Sequence, residues 1–189
     1  YLARDRELDR PVALKVLPPE LAGNAELRER FLRETRTAAS FSHPNIVSVH
    51  GVEEIGALLF FVMTFVEGET LTQRVQRQGP LAVPEATRML QEVAWALSYA
   101  HGRGVVHRDV KPDNILIPEG DYDGAKLADL GLAKPEGSVQ TFGTLSNVAM
   151  GTPGFMAPEQ AESAKSAGPA ADVFAMGATL YALVAGGPP

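Results

Sequence analysis

The apolar pattern of this chain changes period once, near Glu67-Gly68-Glu69, and that change limits what it can fold into. Before it lie short runs rich in β-branched and aromatic residues. Residues 11–17 form one, closed by Pro18-Pro19, and residues 46–52 and 58–66 form two more, joined by a turn over 53–57 that contains Gly56. Runs of this length, bounded by Gly and Pro, predict strands. Between the first and second, residues 25–40 read as a helix with Asn24 as its N-cap. After the change, apolar residues recur at helical spacing. Residues 84–103 carry Met89, Leu90, Val93, Leu97 and Ala100 on one stripe, with Pro84 suited to the first turn and Gly102 and Gly104 to the end. Residues 172–184 are apolar nearly all round, the pattern of a buried helix. Strands first and helices second predict an α+β chain in two lobes, a small β-rich one over 1–66 and a larger helical one over 67–189.

Composition narrows the function classes. Hydrophobic residues make up 45% and charged residues 21% of the 189, which excludes wholesale disorder. With 17 Lys and Arg against 23 Asp and Glu, the net charge is −6, so a sequence-blind nucleic-acid binder is excluded; such a protein needs a basic face to displace counterions. The chain has no cysteine, which removes disulfides, thiolate nucleophiles and Cys-ligated zinc, and suits a cytoplasmic setting. Tyr1 opens no signal peptide. The longest near-apolar run, 173–187, is shorter than the ~20 residues that span a bilayer. Both ends read as cuts inside a longer protein, which could carry a membrane anchor elsewhere.

Three groups of charges sit where the pattern expects a core. Glu34 lies on the stripe of Leu27, Phe31 and Ala38, and Lys15 shares a strand face with Ala13 and Leu17. A buried charge needs a partner. The plainer alternative is a structural ion pair, or a Glu at the wet edge of its stripe. The second group is His107-Arg108-Asp109-Val110-Lys111-Pro112-Asp113-Asn114, set between a helix and the short apolar strand Ile115-Leu116-Ile117. A solvated turn is the alternative here, but an acid, a base and an amide so close together favour chemistry on a positioned loop. The third is Asp129, at the end of the run 125–131 and facing Asn114 across an expected hairpin. Alone it reads as a turn residue. With Asn114 it becomes a candidate ligand for Mg²⁺, which takes oxygen donors and keeps substrate phosphates in its shell.

Val12-Ala13-Leu14-Lys15, helical Glu34, His107-Arg108-Asp109 through Asn114, Asp129-Leu130-Gly131 and Ala157-Pro158-Glu159 follow one another in this order. Together they resemble the eukaryotic-like Ser/Thr protein kinase family, most closely its bacterial members. The resemblance covers essentially the whole chain and implies a bilobal kinase fold, incomplete in both lobes. It also implies ATP as phosphoryl donor, Mg²⁺ as cofactor and a protein carrying a Ser/Thr acceptor as substrate. Lys15, oriented by Glu34, would hold the α/β-phosphates; Asp109 would take the proton of the substrate hydroxyl; Lys111 would sit against the transferring phosphate; Asn114 and Asp129 would ligate magnesium. Met63 would stand behind the adenine, the backbone of Thr64 to Val66 would bond it, and Ala13 and Leu116 would sandwich the ring. Ala38, Val49, His107 and Leu130 would stack as an apolar spine anchored by Asp172. Lys111, Thr152 within Gly151-Thr152-Pro153, and Ala157-Pro158-Glu159 resemble the Ser/Thr protein-kinase class rather than small-molecule phosphotransferases.

Residues 135–148 hold Ser138, Thr141, Thr144 and Ser146 without apolar periodicity, like an activation loop. Phosphate on Thr141 or Thr144 would pair with Arg108 and Lys134, and two kinase copies could associate to place it there. A solvated Ser/Thr-rich loop is the alternative. The family's Gly-rich loop is not in this sequence, and Tyr1-Leu2-Ala3-Arg4 resembles the end of the strand that follows it. An isolated 189-residue piece is therefore expected to be weakly active or inactive, with an exposed apolar patch on 172–184. The competing reading is a pseudokinase, a nucleotide-sensing interaction module in signalling. The presence of Lys15, Asp109 and Asp129 weighs against it.

Overall fold

The computed structural model describes residues 1–17, 25–56, 58–120, 124–130, 154–162 and 167–189, without the side chains of 26, 27, 30, 31, 34, 161 and 162. Asn24, Lys134, Thr141, Thr144 and Thr152 and the side chain of Glu34, all singled out above, lie outside the described residues, as do Ser138, Ser146, Gly151 and Pro153.

Four antiparallel strands, β1 (Leu2–Asp5), β2 (Arg10–Val16), β3 (Val49–Ile55) and β4 (Leu58–Thr64), form a sheet in the order β1-β2-β4-β3. The β1–β2 turn is held by Asp5, whose Oδ1 accepts the N–H groups of Glu7 and Leu8, both at 3.1 Å. Short carboxylates that bond their own backbone this way favour turns. Helix α1 (Ala25–Ala39) lies against β3. A small core of Leu17, Leu59 and Phe61, with Leu32, Val49, Val52 and Met63 packed on it, binds helix to sheet.

The second part begins with β5 (Gly68–Thr70), which pairs with β6 (Ile115–Pro118), itself paired with β7 (Lys126–Leu127). Helices α2 (Leu71–Gln78), α3 (Val83–His101), α4 (Pro158–Glu162) and α5 (Pro169–Ala185) surround this ribbon. The expected stripe of α3 is buried at every named position and forms the larger core with Leu71, Ile115, Leu127, Ala175 and Leu183. Leu130 and Val110 close that core beneath the loop that follows α3. The architecture is α+β, a small antiparallel sheet beside a helical body.

Three expectations are corrected. The strand expected over 46–52 is split: β3 begins at Val49, while Ile46 makes a parallel bridge to Leu127 in the other sheet. Val47 N–H donates to the Leu127 carbonyl at 2.9 Å and Leu127 N–H to the Asn45 carbonyl at 2.8 Å, so tertiary partners override the local β pattern. The turn expected over 53–57 is narrower, because the ladder runs to Ile55↔Leu58 and Gly56 takes the bend at φ 61°. β5 and α2 begin at the boundary read near Glu67-Gly68-Glu69 and are elements that the sequence reading did not name. Thr70 and Gln73 form a reciprocal capping box: Gln73 N–H donates to Thr70 Oγ1 at 3.1 Å, and Thr70 N–H to Gln73 Oε1 at 2.8 Å. Last, α5 is buried on one face only. Ala171, Asp172, Ala175, Ala178, Thr179, Ala182 and Leu183 face inward, whereas Val173, Phe174 and Tyr181 are about half exposed or more and lie where the exposed apolar patch on 172–184 was expected.

Candidate active site

The turn after α3 is built on buried polar bonds. Asp172, in the first turn of α5, is fully buried. Its Oδ1 accepts the Arg108 N–H at 2.7 Å, and its Oδ2 accepts the His107 N–H at 2.9 Å and bonds His101 Nε2 at 2.7 Å. Arg108 sits at φ 65°, a conformation that costs a non-glycine residue about 1 kcal/mol or more. The Asp172 carboxylate holds it there. His107, also buried, accepts the Asp109 N–H on Nδ1 at 3.2 Å and bonds the Ala128 carbonyl through Nε2 at 2.9 Å. Those two roles fit the tautomer with the proton on Nε2. His107 therefore ties the turn to the strand end that carries Asp129.

Asp109, Lys111 and Asn114 converge on one carboxylate. Asn114 Nδ2 donates to the Asp109 carbonyl at 2.7 Å and to Asp109 Oδ2 at 3.1 Å, and Lys111 Nζ lies 3.4 Å from the same Oδ2. Pro112 to Asn114 form a single 3₁₀ turn that ends where β6 begins, which points these side chains to one side. The Asn114 carbonyl accepts the Ala128 N–H at 2.8 Å, so the expected hairpin sets Asn114 beside Asp129. Asp129 has φ 60°, a second left-handed non-glycine residue at the site. Its Oδ2 lies 2.6 Å from Lys15 Nζ, which comes from β2 in the sheet. Lys15 also stands 5.9 Å above the Phe61 ring, its register partner in β4. Lys15, Asp109, Asn114 and Asp129 thus form one continuous cluster between sheet and helical body. The described partner of Lys15 is Asp129; Glu34, which the sequence suggested, has its side chain outside the described residues.

The other expected residues lie on β2, β4 and β6 and just after β4. Ala13 pairs with Met63 and Val12 with Thr64 across β2 and β4. Thr64 N–H donates to the Ser48 carbonyl at 2.9 Å, and its Oγ1 lies 3.2 Å from His50 Nε2. Burial, and next the Arg10 guanidinium, hold the His50 imidazole below its ordinary pKa, with Asp5 opposing. Val66 follows β4, and Leu116 lies in β6 opposite Thr70 and Lys126. Among the described residues, Arg108 Nε is buried without a hydrogen-bond partner.

The donor set fits Mg²⁺. Asn114 uses its amide nitrogen on Asp109, which leaves its Oδ1 as an oxygen donor, and its carbonyl bonds the residue before Asp129. Among the described residues no cluster of three or more His, Cys, Asp or Glu forms an all-protein cage.

The sequence reading missed Gln160. Its Nε2 donates to the Arg108 carbonyl at 2.9 Å and its Oε1 accepts the Ala157 N–H at 3.3 Å. The available signal was its place directly after Ala157-Pro158-Glu159, too little to reveal a bond to a turn 52 positions away.

Known proteins resemble this chain. The chain is 39% identical over 98% of its length to the serine/threonine-protein kinase PrkC of Bacillus subtilis, and 42% identical over 97% to PknA of Mycobacterium tuberculosis. It spans only 28% and 43% of those two proteins. The crystal structure of the Mycobacterium tuberculosis PknI kinase domain superposes on the whole chain with a TM-score of 0.80 at 36% identity, and the chain covers 69% of it. The protein kinase domain family matches residues 1–189 from end to end. With the Lys15–Asp129 contact, the Asp109–Asn114 bond and the sheet-plus-helices frame, this likeness settles kinship: the chain belongs to the protein kinase domain family.

Proposed function

We propose that the chain is the catalytic region of a serine/threonine protein kinase, which transfers the γ-phosphoryl group of ATP to Ser or Thr hydroxyls of protein substrates. One observation carries this reading: an ammonium from the sheet meets a carboxylate from the helical body, next to an amide bonded to a second carboxylate. Phosphoryl transfer asks for positioning and charge neutralisation more than covalent help, and this cluster offers both.

Lys15 would exchange part of its contact with Asp129 for the α/β-phosphate oxygens, with Glu34 orienting it from α1. Mg²⁺, when bound, would neutralise charge on the phosphates; Asn114 Oδ1 and the Asp129 carboxylate are the oxygens that would hold it. Asp109 would accept the hydroxyl proton as the acceptor oxygen bonds phosphorus and the bond to the β-phosphate oxygen breaks. Lys111, within reach of Asp109 Oδ2, would offset charge on the moving group, and Thr152 would help to bind the acceptor. Ala13, Met63 and Leu116 would enclose the adenine. Because Thr64 N–H already bonds Ser48, the base would take the remaining backbone groups of 64–66. Residues 1–66 and 67–189 would move as the two lobes.

Regulation by phosphate on Thr141 or Thr144, received by Arg108 and Lys134, belongs to the same reading. The buried, unpartnered Arg108 Nε supports it. The same reading includes a pair of kinase copies phosphorylating one another in the cytoplasm. No helix among the described residues is long and apolar enough to cross a membrane.

The test uses the full-length protein with ATP, Mg²⁺ and a generic protein substrate, wild type against Asp109→Asn. The variant is expected to lose phosphate transfer by about 10²-fold or more. Equal transfer by both would remove Asp109 from its role.

A further inference from the structure

Arg108 imposes a problem on the turn that presents Asp109. At φ 65° its peptide groups point away from any ladder, and a buried carbonyl or N–H without a partner costs about 1–3 kcal/mol. The Asp172 carboxylate answers the N–H side, at Arg108 and His107. His107 Nδ1 takes the Asp109 N–H and Asn114 takes the Asp109 carbonyl. The Arg108 carbonyl is left, and the group that reaches it is the carboxamide of Gln160, on a different helix.

We propose that Gln160 is a positioning residue for phosphoryl transfer: by donating from Nε2 to the Arg108 carbonyl it completes a clamp that fixes the backbone presenting the Asp109 carboxylate. The proposal rests on the kinase reading above and assigns a further residue to it. Gln160 is only 3% exposed, so water does not compete for either end of its amide. The amide has one orientation that serves both partners, because Ala157 offers an N–H and Arg108 offers a carbonyl. Two helices thus grip a single residue through the two peptide groups that flank it, α5 at the N–H of Arg108 and α4 at its carbonyl. Without the second grip, the strained residue relaxes toward negative φ and swings the next side chain, Asp109, off its line. Misplacement of a catalytic group by about 1 Å can cost ~10²-fold in rate.

A residue that served only to cap α4 would behave differently, and the choice of substitution separates the two roles. Gln160→Glu keeps Oε1 for the Ala157 N–H but sets a carboxylate oxygen against the Arg108 carbonyl. In the full-length protein this variant is expected to lower kcat about 10- to 100-fold with KM for ATP unchanged within about twofold, since Gln160 touches no nucleotide-binding group. Hydrogen exchange at the amides of His107, Arg108 and Asp109 is expected to quicken about tenfold or more, with α3 unaltered. Gln160→Met, uncharged and similar in shape, carries the same expectations if the Glu variant fails to fold. A folded variant whose kcat stays within about twofold of wild type, or whose exchange at 107–109 is unchanged, overturns the proposal. If the wild-type protein transfers no phosphate, the kinase reading fails, and the exchange measurement alone decides the clamp.

Discussion

Replacing Asp172 by Asn tests the anchor beneath the catalytic turn. The substitution keeps the shape and removes the charge and one acceptor. Asp172 now serves three donors, Arg108 N–H at Oδ1 and His107 N–H and His101 Nε2 at Oδ2. The best orientation of an Asn keeps oxygen toward the pair and turns its NH₂ toward the Arg108 N–H. One charge-assisted bond, worth about 1.5–3 kcal/mol, is lost, and the other two become neutral bonds weaker by about 1 kcal/mol each. The side chain is fully buried, so solvent offers no replacement. The expected loss is ~3–5 kcal/mol, a large share of an ordinary stability of 5–15 kcal/mol. It corresponds to a fall of about 10 °C in Tm for a domain of this size. Thermal denaturation of the full-length protein followed by circular dichroism measures it, with exposed Asp113→Asn as a control that should shift stability by no more than about 0.5 kcal/mol. A drop in Tm below about 2 °C for the Asp172 variant would refute the reasoning, because the three bonds would then carry no net stability.

Gly68→Ala should disrupt the β5–β6 pair: at φ 154° an added Cβ would meet the Ile117 carbonyl oxygen at 2.0 Å, a contact with backbone that cannot yield, so destabilisation of about 2 kcal/mol or more in urea denaturation is expected. Thr70→Ala removes half of the capping box of α2 and should cost about 1 kcal/mol, read by the same denaturation. His50 binds its proton less readily in the folded chain than in the unfolded one, because burial and Arg10 lower its pKa from 6.5. The unfolded state therefore holds more protons between the folded value and 6.5, and stability rises with pH across that window, complete above it and lost as pH falls. His50→Gln should flatten this part of the urea midpoint–pH curve; an unchanged slope would exclude His50 as its source.

The parts of the fold legible in the sequence are those set by local periodicity or by short-range spacing. The buried stripe of α3 follows from its 3.6-residue spacing, and the hairpin that sets Asn114 beside Asp129 follows from two short runs around a turn. β5 escaped because three residues carry no period, although Thr70 and Gln73 at capping-box spacing were a readable sign of α2. Ile46 was assigned to the wrong sheet because its hydrophobicity says that it is buried and not against what. α5 looked buried all round because composition alone does not say which face meets a partner. In the candidate site, residue types pointed to Lys15, Asp109, Asn114 and Asp129. The pairing of Lys15 with Asp129 and the reach of Gln160 to Arg108 depend on tertiary placement, which no window of the sequence contains.

The bonds between Asn45, Val47 and Leu127 bear on how the molecule can flex. They place Phe41 and Ile46 in the large core, although the chain on either side belongs to the sheet and its helix. The polypeptide therefore passes between the two hydrophobic clusters at three places: after α1, before β3 and after β4. Any swing of one body against the other must bend the backbone at all three at once. The contact of Lys15 with Asp129, which joins the same two bodies, therefore shares its fate with those three stretches of backbone.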